Sequence, residues 1–273
     1  NVPNVHQDEL RILYLNVRSI TRHMDECRDT FSYSKKYDVI CFNETSCDVD
    51  QLPNGIDNIL INGFHEPIMQ KPHRVSNKGG GLAIYVNLNV CEADNFEKFT
   101  IPDNVIPEVP TSDTPCEILF AKINIKQANN NNCKSYLVGN IYRSPSHSTS
   151  SIHEYLDTVL TALRRHGNKN ITYGGDFNID LCKYDDDNNC QNLIDTAAKH
   201  NFVQIINRPT RVTQHSATLI DHIYTNKIGD VVSSGVVTFD ISDHLGTYVT
   251  IALRDHLGSI AVSYTHLTLP TIY

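Results

Sequence analysis

The stretch ITYGGDFNIDL, residues 171–181, decides the fold of this chain. It begins like a buried strand, with Ile171 and Tyr173 directed toward a core. Two glycines then allow the backbone to turn or to approach another segment closely. Asp176 and Asn178 are thereby delivered at the end of the strand, which is where α/β proteins build their sites. A simple polar turn has the same composition, so the rest of the chain must decide between a turn and a site.

Length and composition predict one globular domain. The chain has 273 residues, of which 40% are hydrophobic, and this is enough for a single large core. We expect residues 10–253 to form the domain and the tail at 254–273, which continues no strand or helix pattern, to lie outside it. The chain starts with Asn1 and not with Met, so a missing upstream segment or targeting signal stays open.

Charge and hydropathy restrict the partners. The formal net charge of −8 and the pI near 5.9 argue against nucleic-acid binding by bulk electrostatics, because phosphate contacts need Lys and Arg. A local basic patch or a metal ion could still bind nucleic acid. No apolar run approaches the roughly 20 residues of a membrane span, so no membrane partner is expected. None of the eight cysteines lies in a C-x-x-C pair, which favours free thiols in a reducing compartment over disulfides.

Ten short β-rich runs predict a strand-rich core. They lie at 11–17, 37–43, 58–63, 81–87, 117–125, 134–142, 170–175, 219–225, 235–241 and 247–253. Helical spacing of apolar residues predicts helices within 150–167 and 188–201 and, more weakly, within 19–36. Because the helices fall between strands, the pattern indicates two sheets with helices packed outside. Polar segments at 101–116 and 127–134 are expected to be surface loops.

Several other predicted strands end on polar residues in the same way as the opening stretch. Each residue alone has an ordinary explanation as a solvated charge or a loop residue. Together they can converge on one edge, where carboxylate and amide oxygens suit Mg²⁺. Neither paired histidine spacing nor a cysteine cluster is present, so zinc is not expected. The residues are Asn16, Asn43, Glu44, Tyr142, Arg143, Asp221, His222, Ser242, Asp243 and His244.

Seven segments in this order resemble the motif series of the endonuclease/exonuclease/phosphatase superfamily. They are LNVRS (15–19), NET (43–45), GGGLAIYV (79–86), NIYRSP (140–145), GGDFNID (174–180), IDHIYTN (220–226) and SDH (242–244). With YRSPS and RPTR, they are most similar to the apurinic-type endonuclease domain of non-LTR (LINE-type) retrotransposons. The resemblance implies an α/β fold, a four-layer α/β sandwich with two mixed β-sheets flanked by helices.

The same resemblance implies an activity and its partners. The expected reaction is Mg²⁺-dependent nicking of DNA, with Mn²⁺ as an alternative ion, to leave a 3′-hydroxyl that a linked reverse transcriptase extends. No reverse transcriptase follows in this chain, which is therefore expected to be a fragment or a stray domain. Action on DNA implies an intracellular, nuclear place of action.

Residue roles follow from the resemblance position by position. Glu44 is expected to be the main metal ligand, with Asn16 beside it and Asp243 near the metal. Asp176 and Asn178 are expected to position the attacking water and the scissile phosphate. Tyr142 is expected to bind the phosphate or to assist the leaving oxygen, and Asp221 is expected to hold His244 by its ring N–H in contact with the phosphate. Whether Asp176 or His244 removes the proton of the water stays open. The expected substrate-binding residues are Arg143, Thr210 and Arg211.

The chain departs from the family pattern at two places, and other functions stay open. SCD (46–48) stands where relatives often have an aromatic residue, and RSPS (143–146) stands where they have two prolines. These positions bear on DNA target preference more than on chemistry. The alternatives are a phosphatase or sphingomyelinase-type hydrolase and a catalytically silent binding module. Basic residues expected near the rim of the site are Arg18, Arg22, Lys71, Arg74, Lys78, Arg143, Arg208 and Arg211.

Overall fold

Two six-stranded sheets form the centre of the molecule. The computed structural model describes residues 8–72, 79–101, 105, 114–126, 133–149, 151–165, 167 and 169–253. The first sheet contains β1 (Glu9–Asn16), β2 (Val39–Asn43), β3 (Ile68–Gln70), β4 (Leu82–Val86), β13 (Val231–Val237) and β14 (Gly246–Ala252). The second contains β5 (Phe96–Lys98), β6 (Glu117–Lys126), β7 (Cys133–Tyr142), β8 (Ile171–Asp176), β9 (Val203–Gln204) and β12 (Asp221–Thr225). A small hairpin pairs β10 (Arg211–Val212) with β11 (Ala217–Thr218).

Both sheets are mixed. Their strand orders are β13-β14-β1-β2-β4-β3 and β5-β6-β7-β8-β12-β9. The pairs β1/β2 and β7/β8 run parallel, while the remaining paired strands run antiparallel. The parallel pairs bring the carboxyl ends of β1 and β2, and of β7 and β8, to shared edges.

Strand alternation explains the four layers. In β1, Ile12 and Tyr14 belong to the apolar cluster between the sheets, whereas Leu13 and Leu15 belong to the cluster on the outer face. Helix α1 (Met24–Phe31) covers that outer face through its buried residues Met24, Cys27 and Phe31. Helices α2 (Ile152–Arg165) and α3 (Asn188–Lys199) cover the outer face of the second sheet. The predicted four-layer α/β sandwich is confirmed.

Most predicted elements are present. Nine of the ten predicted strands overlap an observed strand, and each of the three predicted helices is present. The run at 58–63 is wrong as a strand: Gly55–Ile59 forms a short 3-10 helix, and Ile59 and Ile61 are buried in the outer cluster without a strand partner. The strand predicted at 235–241 lies earlier, as β13.

Other predictions concern termini, loops and thiols. All eight cysteines are free, as predicted. None of the helices in the described ranges is long and apolar enough to cross a membrane. The predicted tail at 254–273 and most of the predicted loops at 101–116 and 127–134 lie outside the described residues, and the domain bounds 10–253 stay a prediction.

Candidate active site at the strand ends

The register of the strands brings the polar strand ends together. Asn16 and Asn43 are paired at the parallel ends of β1 and β2. In the second sheet, Asp176 at the end of β8 is paired with Tyr142 on one side and with Asp221 on the other. The Asp of the opening stretch therefore lies at the centre of a row of polar strand ends, which makes this edge the candidate site.

Asp176 is a buried carboxylate that joins the two sheets. Only 1% of its surface is exposed. Its Oδ2 accepts a hydrogen bond from Asn16 Nδ2 at 2.9 Å, and its Oδ1 accepts one from the backbone N–H of Asn178 at 2.9 Å. Burial and the nearby charge of Asp221 raise the pKa of Asp176 to about 7, against the lowering effects of His244 and Asn16. A carboxylate with this pKa can exchange a proton near neutral pH.

Asp221, His244 and Thr210 form a buried chain of hydrogen bonds. His244 Nδ1 lies 3.0 Å from Asp221 Oδ2, and the hydroxyl of Thr210 donates to the same oxygen at 2.6 Å. Because a carboxylate only accepts, His244 carries a proton on Nδ1. Burial lowers the pKa of His244, but the hydrogen bond and charge of Asp221 outweigh this effect and leave the pKa raised. The predicted contact between Asp221 and His244 is present.

Glu44 and Tyr142 form a second pair at this edge. The hydroxyl of Tyr142 donates to Glu44 Oε1 at 2.9 Å. Burial, followed by the charge of Glu44, raises the pKa of Tyr142, and Asp176 and Glu117 raise it further. The phenol therefore stays protonated and remains a hydrogen-bond donor throughout the neutral range.

Arg143 and Asn178 lie beside Asp176 and hold the loop that follows it. The guanidinium of Arg143 is buried and donates to the carbonyl oxygens of Phe177, Asn178, Ser144 and His147. Asn178 has a left-handed backbone (φ 50°), and its amide donates to the Arg143 carbonyl at 2.8 Å. Arg143 is 2% exposed, so the prediction that it lies near the rim is wrong. A direct contact of either side chain with substrate stays a prediction.

Asp243 lies at the exposed rim and contacts two arginines. Arg18 Nε lies 2.8 Å from one carboxylate oxygen, and Arg211 Nη2 lies 2.9 Å from the other. Burial raises the pKa of Asp243, but the hydrogen bond from Arg211 and both arginine charges leave it lowered. Of the other predicted rim cations, Arg22 and Arg208 are exposed, Lys71 contacts Asp48 and Asp50, and Arg74 and Lys78 lie outside the described residues.

Left-handed backbone is concentrated at this edge. Among the described residues, seven positions other than glycine have positive φ. Arg18, Ser19, Glu44, Ser46 and Asn178 belong to this set, and all five lie in the loops that leave β1, β2 and β8. Such residues persist only where the surrounding structure holds them, and they cluster at functional sites.

Comparisons with known proteins show the family of this chain. A sequence model of the endonuclease/exonuclease/phosphatase family matches residues 13–244. The chain belongs to this family. No curated protein matches it in sequence.

Solved structures share the fold of this endonuclease/exonuclease/phosphatase domain at low sequence identity. The endonuclease domain of TRAS1, a telomere-specific non-LTR retrotransposon, is 15% identical with a TM-score of 0.59, over 90% of this chain and 100% of that chain. The Xenopus laevis APE2 catalytic domain is 15% identical with a TM-score of 0.63, over 90% and 94%. A variant of the Neisseria 3′ phosphatase NExo, bound to a product DNA hairpin, is 16% identical with a TM-score of 0.55, over 88% and 98%. The endonuclease/exonuclease/phosphatase family consists of hydrolases of phosphate esters, phosphodiesters among them, and this domain shares their fold.

The residues of the domain fit a divalent cation. Among the described residues, Asp176, Asp221 and His244 offer ligand atoms within 4.8 Å of one another. Glu44 adds a carboxylate at the same edge, with Tyr142 on one of its oxygens. These are mostly hard oxygen donors, which suit Mg²⁺. Burial, and then the charge of Asp221, raises the pKa of Asp176, and a cation at this edge would add positive charge beside the carboxylates.

Sequence reasoning assigned no role to three polar residues of the domain. Ser242 donates to the Asn16 carbonyl at 2.5 Å and accepts the backbone N–H of His244 at 3.2 Å, so it joins two parts of the site. Asn140 is fully buried and bonds Asn43 across the sheets. Glu117 opens β6 and is 6% exposed. The sequence did mark two of them as unusual, because Asn140 lies inside an apolar run and Glu117 lies at the start of one.

Proposed function

We propose that this domain is a Mg²⁺-dependent endonuclease that nicks DNA and leaves a 3′-hydroxyl. The observation that carries the proposal is the buried contact of Asn16 with Asp176 beside the contact of Asp221 with His244. Together these residues supply a base (Asp176), an oriented imidazole (His244) and an amide donor (Asn16) at one edge. In-line displacement at a phosphodiester requires groups of these kinds. In a non-LTR retrotransposon, the 3′-hydroxyl would prime a linked reverse transcriptase, and the place of action would be the nucleus.

Asp176, His244 and Tyr142 have separate roles in the proposed reaction. Asp176 accepts the proton of the attacking water, since the pKa of its carboxyl is raised to about 7. His244, held through Nδ1 and with its pKa raised, donates from Nε2 to an oxygen of the scissile phosphate. Tyr142, whose hydroxyl donates a hydrogen bond to Glu44 in the free protein, lies where it can donate to the phosphate or to the leaving oxygen.

The metal site of the proposal consists of Glu44 as the main ligand, Asn16 beside it and Asp243 near it. Bound Mg²⁺ would supply positive charge to the phosphate oxygens in the transition state. Mn²⁺ has the same ligand preference and is expected to substitute. Removing the ion should abolish turnover, while the buried hydrogen bonds of Asp221 persist because they depend on protein groups alone.

The DNA assignment has two lines of support. The sequence motifs resemble those of retrotransposon endonucleases, and the fold extends over the whole TRAS1 endonuclease domain. Arg18 and Arg211 lie at the rim beside Asp243, where they can contact phosphates on either side of the scissile bond.

Nicking of supercoiled plasmid with Mg²⁺ or with EDTA tests the proposal. We expect metal-dependent relaxation by the wild type and loss of roughly 10² to 10⁴ in rate in Asp176→Ala and in His244→Ala. Asp157→Ala removes a carboxylate that bonds Lys199 and His200 on the helical layer and is the matched control with wild-type rate. Extension of the nicked strand by a polymerase detects the 3′-hydroxyl.

Two other outcomes identify the alternatives. Intact plasmid together with phosphate release from inositol phosphates, or hydrolysis of sphingomyelin, would replace the DNA substrate by another phosphate ester. Intact plasmid with no turnover of any of these esters would indicate a catalytically silent binding module.

A further inference from the structure

The motif GGGLAIYV begins with three glycines, Gly79–Gly81, that adopt left-handed backbone with φ of 91°, 84° and 84°. A side chain at any of the three would collide with a polar group. A Cβ at Gly79 would lie 2.7 Å from Glu44 Oε1, and a Cβ at Gly80 would lie 2.6 Å from Glu117 Oε1. A Cβ at Gly81 would overlap the hydroxyl of Thr45. The three glycines therefore allow the backbone to lie close to two carboxylates and a hydroxyl.

Backbone hydrogen bonds attach this glycine loop to the segment that carries Glu44. The N–H of Thr45 donates to the Gly81 carbonyl at 3.1 Å, and the N–H of Ser46 donates to the Gly80 carbonyl at 2.8 Å. Glu44 itself has left-handed backbone, with φ of 53°. Such a conformation persists only where the surrounding structure holds it, and the glycine loop forms two backbone hydrogen bonds with the residues that follow Glu44.

Glu117 anchors the loop from the other sheet. Its Oε2 accepts the backbone N–H of Gly81 at 2.5 Å. Glu117 opens β6 and is paired in register with Tyr142, whose hydroxyl donates to Glu44. These contacts form a ring. Glu117 holds the glycine loop, the loop bonds the segment that carries Glu44, and Glu44 bonds Tyr142, which is the strand neighbour of Glu117.

We propose that Glu117 is a positioning residue that holds the glycine loop against Glu44 and so fixes the metal-binding carboxylate and the Tyr142 hydroxyl. It acts through the Gly81 N–H and not by contact with substrate. The inference rests on the proposed function in that Glu44 is taken as the metal ligand. Residues that orient metal ligands typically change metal affinity 10- to 100-fold when they are removed.

Direct binding of Mn²⁺ to the full chain, monitored by electron paramagnetic resonance without DNA, tests the inference. Glu117→Ala removes the acceptor of the Gly81 N–H and should raise the Kd about 10- to 100-fold. Glu117→Gln retains an acceptor oxygen of the same reach and should raise the Kd about 3-fold or less, since the hydrogen bond is kept. Gly80→Ala, which drives a methyl group against Glu117, should resemble Glu117→Ala.

A stability control separates positioning from general loosening of the fold. Leu156→Ala empties a buried position of α2, on the far face of the second sheet. It should lower stability by about 2–5 kcal/mol and leave the Kd for Mn²⁺ unchanged. A folded Glu117→Ala protein that binds Mn²⁺ as the wild type does would overturn the inference, and so would equal losses in Glu117→Ala and Leu156→Ala.

Amide hydrogen exchange supplies a readout that needs no metal. The N–H groups of Thr45 and Ser46 donate to carbonyl oxygens of the glycine loop. They should exchange at least about 10 times faster in Glu117→Ala than in Glu117→Gln, because the alanine variant releases the loop. Unchanged exchange at both amides would contradict the positioning role of Glu117. Wild type that binds no Mn²⁺ contradicts the proposed metal dependence and leaves the exchange experiment to decide on Glu117. Wild type that binds Mn²⁺ without nicking DNA contradicts only the DNA substrate.

Discussion

Asp221 and His244 meet at 3.0 Å, although Asp221 opens a strand of the second sheet and His244 precedes a strand of the first. Both residues are at most 3% exposed. The contact therefore exists only when the two sheets are docked against each other, and it links the integrity of the sandwich to the state of the imidazole.

Asp221→Asn should reduce DNA nicking by roughly 10² to 10⁴ while the protein stays folded. The asparagine amide can donate to Nδ1, which favours the wrong tautomer of His244, and loss of the negative charge lowers the pKa of the imidazole. Turnover as a function of pH and the NMR titration of His244 measure the two effects.

His200→Gln is the control for the Asp221 experiment. His200 is also buried and bonds a carboxylate, Asp157, at 2.7 Å, but it lies in the helical layer. Its substitution should leave the rate within about 3-fold, since a group remote from the reacting atoms takes no part in proton transfer. Equal losses in both variants would mean that the Asp221 effect is structural.

Thr210→Val should destabilise the protein by about 1–3 kcal/mol. The Thr210 hydroxyl donates to Asp221 and accepts the backbone N–H groups of Ile220 and Asp221 at 3.2 and 3.0 Å. Valine has the same shape but leaves these buried groups unsatisfied. Urea unfolding measures the loss, and Thr210→Ser, which keeps the hydroxyl, should recover most of it. A valine variant as stable as the wild type contradicts this account.

His222 should make the protein less stable in acid. Its ring is fully buried, with Nε2 near the carbonyl oxygens of Ile179 and Leu219, and burial lowers its pKa to about 4. Between pH 6.5 and 4 the unfolded chain binds a proton at His222 and the folded protein does not, so stability is full above pH 6.5 and falls as the pH decreases through this window. The cost at pH 4.5 is about 2–3 kcal/mol.

Comparison of His222→Gln with wild type isolates this contribution from other titrating groups. The difference in unfolding free energy between the two proteins, measured in urea at pH 7.5 and pH 4.5, should change by about 2–3 kcal/mol in favour of the variant at the lower pH. His215→Gln, at an exposed histidine, should show no such change. If the difference is independent of pH, His222 does not carry the acid sensitivity.

The strand and helix pattern predicted two sheets with helices outside, the motif resemblance predicted the four-layer sandwich, and the polar strand ends predicted a cluster of polar side chains at one edge. Asp176 ends a strand and Asp221 opens the neighbouring strand of the same sheet, so their proximity follows from strand geometry. The contact of His244 with Asp221 crosses to the other sheet, and it was expected from the motif resemblance. The hydrogen bond of Asn16 with Asp176 could not be predicted in the same way, because it depends on how the two sheets dock. The roles of Glu44, Asn178 and Asp243 in metal and substrate binding stay predictions.

Glu117 shows why the rest was not predictable. A Glu at the start of a strand is typical of a solvated charge, and the approach of the Gly81 N–H to its carboxylate depends on how the loop before β4 packs against the other sheet. The prediction of a strand at 58–63 is wrong for a related reason. Ile59 and Ile61 are buried by packing on the outer cluster, and burial by packing leaves the same apolar pattern in sequence as burial in a sheet.

Asp243 should regulate how strongly the rim binds DNA. It contacts Arg18 at 2.8 Å and Arg211 at 2.9 Å, so it occupies two guanidinium groups that could bind phosphates. Arg211→Ala should weaken binding of a labelled duplex and reduce the slope of log K against log salt by about 1. Asp243→Asn should strengthen binding, because both arginines are released and a negative charge near the phosphates is removed. Fluorescence anisotropy in EDTA between low and moderate salt measures both effects without cleavage.

Lys199→Ala is the matched control for the rim, since Lys199 also contacts a carboxylate, Asp157, but lies on the helical layer. It should leave the affinity and the salt slope unchanged. The same experiment separates two roles for Asp243. A metal ligand alone would lose Mn²⁺ affinity on substitution by Asn and show wild-type DNA binding in EDTA. A residue that restrains Arg18 and Arg211 changes DNA binding when no metal is present, because its ion pairs with both arginines compete directly with phosphate for the same donors.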